Sequence, residues 1–130
     1  MAEIALYKFC VSTIVERRRL GEFALTGRGK FTEAREWKTV EILIEEARNN
    51  SERFPVILSD AAYNCEPLLL WGVLHKLEVK DGSTTVKLTD IQRVRGKHGR
   101  QDLVLRDTGE NIKPHYIRPY AICHTPDFLK

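Results

Sequence analysis

The sequence predicts an α+β domain, a small, mostly antiparallel, partly closed β-barrel or curled sheet with two helices packed on it. Three observations lead there. The order of patterns is strand, helix, helix, then four or five strands. One segment carries an unmistakable helical period, and an Asp-Gly hairpin signal sits in the second half of the chain. At 130 residues, with 42% hydrophobic and 30% charged side chains, residues 1–130 suit a single globular domain.

The elements follow in order. Glu3–Val11 alternates, with Ile4 and Leu6 against Ala5, Tyr7, Phe9 and Val11, and reads as a strand. Thr13 and Glu16 have the spacing of a capping box, which predicts a short helix through Arg17, Arg18 and Arg19 that stops at Gly21. A glycine-bearing loop, Thr26–Lys30, comes next. Trp37, Val40, Leu43, Ile44 and Ala47 then recur at three- and four-residue steps, the apolar stripe of a helix ended by Asn49-Asn50-Ser51. From Pro55 the pattern is β. Val56-Ile57-Leu58 is a short buried run, and Leu68–Val79 places Trp71, Val73, Leu77 and Val79 on one face. Lys80-Asp81-Gly82-Ser83 turns the chain back into a strand that points Val86 and Leu88 inward. Leu103-Val104-Leu105 and Tyr116–Ile122 read as further strands, the last an edge or bulge because of Pro119.

Composition excludes several functions. No apolar run approaches the about 20 residues a membrane helix needs, so no membrane partner is expected. Cys10, Cys65 and Cys123 are odd in number and widely spread, which fits a reducing, cytoplasmic setting. No Cys-x-x-Cys or His-Glu-x-x-His spacing occurs, so neither metal nor cofactor is expected, and His75 reads as a core or strand residue. Walker loops and Gly-x-Ser-x-Gly elbows are also absent.

The formal charge of +3 is unevenly placed. Residues 1–35 hold 7 basic and 4 acidic side chains, residues 36–92 hold 6 and 10, and residues 93–118 hold 7 and 3. Two basic blocks thus flank an acidic middle, and they steer a polyanion if the fold brings them to one side.

The densest functional pattern is Gly27-Arg28-Gly29-Lys30-Phe31-Thr32-Glu33-Ala34-Arg35. Its Lys30, Glu33 and Arg35 resemble the Gly-x-Lys-x-x-Glu-x-Arg hallmark of the ASCH domains in the PUA-like superfamily. The glycines depart from it, falling one and three residues before Lys30 instead of two. The Trp71-Gly72-Val73 strand and its hairpin are similar to barrel strands of that superfamily, including the EVE group. The resemblance implies recognition of RNA or a modified base, with hydrolysis of modified nucleosides or RNA in some members. It would give Lys30 and Arg35 to phosphate or carbonyl groups and Glu33 to an exocyclic amine. In a hydrolase, Lys30 would be the candidate base.

Two further clusters suit nucleic acid. Arg93, Arg95, Lys97 and Arg100 crowd a loop with two glycines, fitted for sequence-blind phosphate contact. Tyr116, Arg118 and Tyr120 alternate, so an unbroken strand presents all three on one face, and Trp71 is a further ring for stacking or for the core. The expected partner is therefore RNA, DNA or a nucleotide-like ligand, held by Arg28, Lys30, Glu33, Arg35, Trp71, the basic loop and the Tyr116–Tyr120 strand. Two other classes remain open. Asp60 with Glu78 and Lys80 resembles the Asp…Glu-x-Lys signature of Mg-dependent nucleases. A sheet edge or the basic loop alone suits a protein-interaction module.

Overall fold

The structure, a computed structural model, describes residues 5–60, 68–113 and 120–129. Strand β1 (Phe9–Ile14) leads into helix α1 (Arg17–Thr26), strand β2 (Gly29–Glu33) and helix α2 (Lys38–Asn49). Strands β3 (Pro55–Ser59), β4 (Leu68–Lys80), β5 (Ser83–Arg93) and β6 (Tyr120–His124) follow. All six form one sheet in the order β2-β5-β4-β3-β1-β6. β1 and β3 run parallel, and every other neighbouring pair is antiparallel. The fold is α+β, a six-stranded mixed sheet with two helices. No ladder joins β2 to β6 among the described residues, so the sheet is not closed into the expected barrel.

Helix α2 uses the stripe that its sequence announces. Val40, Leu43, Ile44 and Ala47 are buried, and Trp37, at its N-terminal boundary, is wholly buried. No side chain of its own first turn caps the helix. Thr84 of β5 does so instead: its Oγ1 accepts from the Trp37 N–H at 2.9 Å and donates to the Arg35 carbonyl at 2.6 Å.

Helix α1 departs from the expectation. It runs through Gly21 to Thr26 because Leu20 and Phe23 continue an apolar stripe buried against the sheet. Gly27 ends it, in the left-handed conformation (φ 72°) with its N–H donating to the Phe23 carbonyl at 2.8 Å. The capping box does not form, since Thr13 is buried within β1 and Glu16 makes no side-chain cap. The predicted glycine loop shrinks to Gly27-Arg28, as β2 already begins at Gly29.

Strand alternation divides the sheet into two faces. One buries Val11, Val56, Leu58, Leu70, Val86 and Leu88 beneath both helices. The other buries Cys10, Ile57, Trp71, Ala121 and Cys123 beneath Val94, Leu103 and Ile112 and the one-turn helix Asp127–Leu129. That second cover lies over β1, β3, β6 and the first part of β4. Over β2, β5 and the rest of β4 the second face meets solvent.

Two irregularities bend the β4–β5 hairpin. His75 has no residue opposite it on β5, standing between the pairs Leu74↔Leu88 and Lys76↔Lys87. Asp90 and Ile91 stand opposite Gly72 alone, and Asp90 takes a positive φ of 53°. A Cβ on Gly72 would come within 2.8 Å of the Ile91 side chain, so this crossing needs glycine. The first bulge reverses the strand's phase. Trp71 and Val73 therefore face the second cluster while Leu77 faces the first, instead of all three sharing a face. Leu103-Val104-Leu105 makes only isolated bridges, Val104 to Asn111 and Leu105 to Cys123, and is not a strand.

The sheet also curls. Trp37 packs its ring against Phe31 of β2 (6.3 Å between centroids) and Tyr120 of β6 (4.9 Å), touching both edge strands at once.

Candidate functional site

On the uncovered part of the second face, three lysines form a row across three strands. Lys30 of β2 stands directly opposite Lys87 of β5, and Lys87 directly opposite Lys76 of β4. Like charges placed opposite each other in a ladder destabilise it, so the row is a cost that packing does not explain. Lys76 is offset by Glu78, whose carboxylate lies 3.0 Å from its Nζ. That hydrogen bond, with weaker pulls from Lys87 and Lys30, holds the Glu78 carboxyl below its ordinary range.

Beside the row opens a cleft of ≈ 510 Å³ lined by Arg28, Gly29, Lys30, His75, Lys87, Leu88 and Thr89. The local fold aims these groups. The Gly27 turn delivers Arg28, and the bulge at His75 leaves that ring outside the ladder. The floor is thin at Gly29, where a Cβ would come within 2.7 Å of the Phe23 ring, so glycine is needed for the helix to pack beneath. Arg19 stacks over the same Phe23 ring and donates to the Lys30 carbonyl, tying the helix to the edge strand. The Thr89 hydroxyl donates to the Asp90 carboxylate at 3.3 Å.

The sequence-predicted residues are only partly assembled here. Arg28 and Lys30 line the cleft; Glu33 and Arg35 do not. Three residues along a strand reverse the face, so Glu33 points with Phe31 toward the helix side and Lys30 points away. Burial raises the Glu33 carboxyl pKa, against a smaller opposing pull from Arg35. Lys30, Glu33 and Arg35 therefore do not share one pocket. Trp71 is 8% exposed and Arg100 1% exposed, both within the second apolar layer, so neither offers its side chain to a solvent-borne ligand. Tyr120 is packed on Trp37 instead of forming a stacking platform. Tyr116 and Arg118 lie outside the described residues, as does Cys65. Arg93, Arg95 and Lys97 are exposed but line no part of the cleft. The segment that begins at Val94 packs on the same face as Lys30 and Lys87, over its other half. Arg28 and Lys30 of the first basic block and the start of the second thus reach one side of the sheet, whereas Arg17, Arg18 and Arg19 lie on α1, on the helix side. The exposed Glu41, Glu45 and Glu46 of α2 stand on the opposite side.

Other candidate chemistry is not assembled. Asp60 is paired with Arg17 at 3.0 Å at the end of β3. Ser59 pairs with Leu68 at the start of β4, so Glu78 lies about 30 Å farther along that strand. No cluster of three metal-ligating side chains occurs among the described residues. Burial pushes the Cys10 thiol well up and that of Cys123 to about 12, which leaves both poor nucleophiles. No helix among the described residues is long and apolar enough to cross a membrane.

Sequence reasoning missed His75, Lys87 and Thr89. The apolar stretch around His75 predicts a core or strand residue; it lies in a strand but is exposed. Its available signal was the break in alternation at Val73-Leu74, which a bulge resolves. No family model, no curated protein and no solved structure matches this chain.

Proposed function

We propose that this chain binds nucleic acid through its phosphates, at the cleft beside Lys30 and Lys87. One observation carries the reading: three lysines in a cross-strand row on an uncovered face, with Arg28 and His75 converging at their side. An anion seated there relieves the repulsion within the lysine row, and charge-assisted bonds to phosphate oxygens replace it. No Phe, Tyr or Trp ring lines the cleft, which favours backbone contact over reading of base identity. The likeness to PUA-like domains agrees in ligand class. A partly closed barrel of that kind is the finer form of this reading, supported by the contact of Trp37 with both edge strands.

The test couples binding to stability. Lys30→Met and Lys87→Met are each expected to weaken binding of labelled RNA or DNA oligonucleotides and to reduce the salt slope by about one. Lys87→Met, which removes a charge facing two others, is also expected to raise stability by a few tenths to about 1 kcal/mol. Binding that is unchanged in both variants, or insensitive to salt, overturns the reading.

A further inference from the structure

The positive charge on the uncovered face is densest at one end: toward the hairpin Glu78 interrupts it between Lys76 and Lys80. Lys30 and Lys87 face each other across one inter-strand gap, about 5 Å, and Arg28 stands two residues before Lys30. Toward the hairpin, Thr32 and Thr85 are uncharged and Lys76 is engaged by Glu78. An internal phosphodiester brings one charge and its chain must leave the cleft on two sides. On the hairpin side it would run against the Glu78 carboxylate. A terminal phosphomonoester brings about −1.5 to −2 charges and three strong acceptor oxygens, and its chain leaves on one side only.

Resting on the phosphate binding argued above, we propose that the cleft holds the phosphomonoester at the end of a nucleic-acid strand. Arg28 offers a planar pair of donors, and Lys30 and Lys87 bring point charges from adjacent strands. His75 completes the donor set. Glu78 is the stop that turns a diester chain away, so the same carboxylate that offsets Lys76 sets the preference for ends.

The experiment compares one short oligonucleotide sequence carrying a 5′-phosphate, a 3′-phosphate, hydroxyls at both ends, or no ends because it is circularised. Wild type is expected to bind at least one phosphorylated end about tenfold or more tighter than the hydroxyl and circular forms. Lys87→Met is expected to erase that preference. Glu78→Gln is expected to narrow it by strengthening binding of the circular form. Equal affinity for all four forms, with salt dependence retained, overturns the end preference while leaving phosphate binding intact. Absence of binding to any form overturns both. Free nucleoside monophosphate competing as well as the phosphorylated oligonucleotide overturns the assignment to strand ends.

Discussion

Glu33 shows how one side chain's surroundings decide its role. It keeps the motif spacing from Lys30, yet β2 turns it toward the helix side, where burial raises its carboxyl pKa. A carboxyl whose folded pKa is raised stabilises the fold only while protonated, and that contribution is lost as pH rises through the folded value. Glutamine pays no such penalty. Glu33→Gln is therefore expected to melt above wild type at neutral pH, with the difference closing as pH falls below the ordinary value of 4.5. Thermal melts across an acid-to-neutral series check this, and a pH-independent difference would sink it. The lysines make the complementary point. Lys30, Lys76 and Lys87 belong to three separate strands, and their row exists only through pairing register. Nothing in the local pattern of any one strand carries it, which is why Arg28 and Lys30 were legible as site residues while Lys87 and His75 were not.

At the scale of elements, legibility followed the length of the apolar pattern. Helix α2 was plain because Val40, Leu43, Ile44 and Ala47 fill one stripe without interruption. The Asp81-Gly82 turn was equally plain, and both residues take the positive φ that a two-residue hairpin of this kind requires. Strand β4 departs from its sequence pattern for a physical reason. Its bulge at His75 moves the apolar positions from one face to the other, so a single two-residue period cannot describe it. In helix α1, Gly21 resembles a stop signal, whereas Phe23 keeps the helix in place by packing beneath Gly29. Gly21 thus sits mid-helix, with nothing within 4 Å of an added Cβ. Gly21→Ala is expected to stabilise the protein by about 0.5–1 kcal/mol, the usual gain for that exchange in a helix interior. Chemical denaturation measures it. No gain would mean that this glycine serves something other than the helix.

For the molecule as a whole, the decisive feature is the curl that lets one ring touch both edges of the sheet. Trp37 is fully buried, packs on Phe31 of β2 and Tyr120 of β6, and is pinned by its N–H to Thr84 of β5. The two edge strands share no ladder with each other, and this side chain bridges them directly. The consequence reaches the site, because β2 carries Lys30 and its position fixes the spacing of the lysine row. Trp37→Ala opens a large cavity and is expected to cost about 3–5 kcal/mol, a large part of the stability of a domain this size. Trp37→Phe keeps a ring in the gap and is expected to fold, with a smaller loss. In that variant, backbone hydrogen exchange should quicken in β2 and β6 together while β3 and the middle of β4 stay protected. Binding at the cleft should weaken in step with β2. If exchange quickens in one edge strand alone, the edges are held independently, and the curl has another cause.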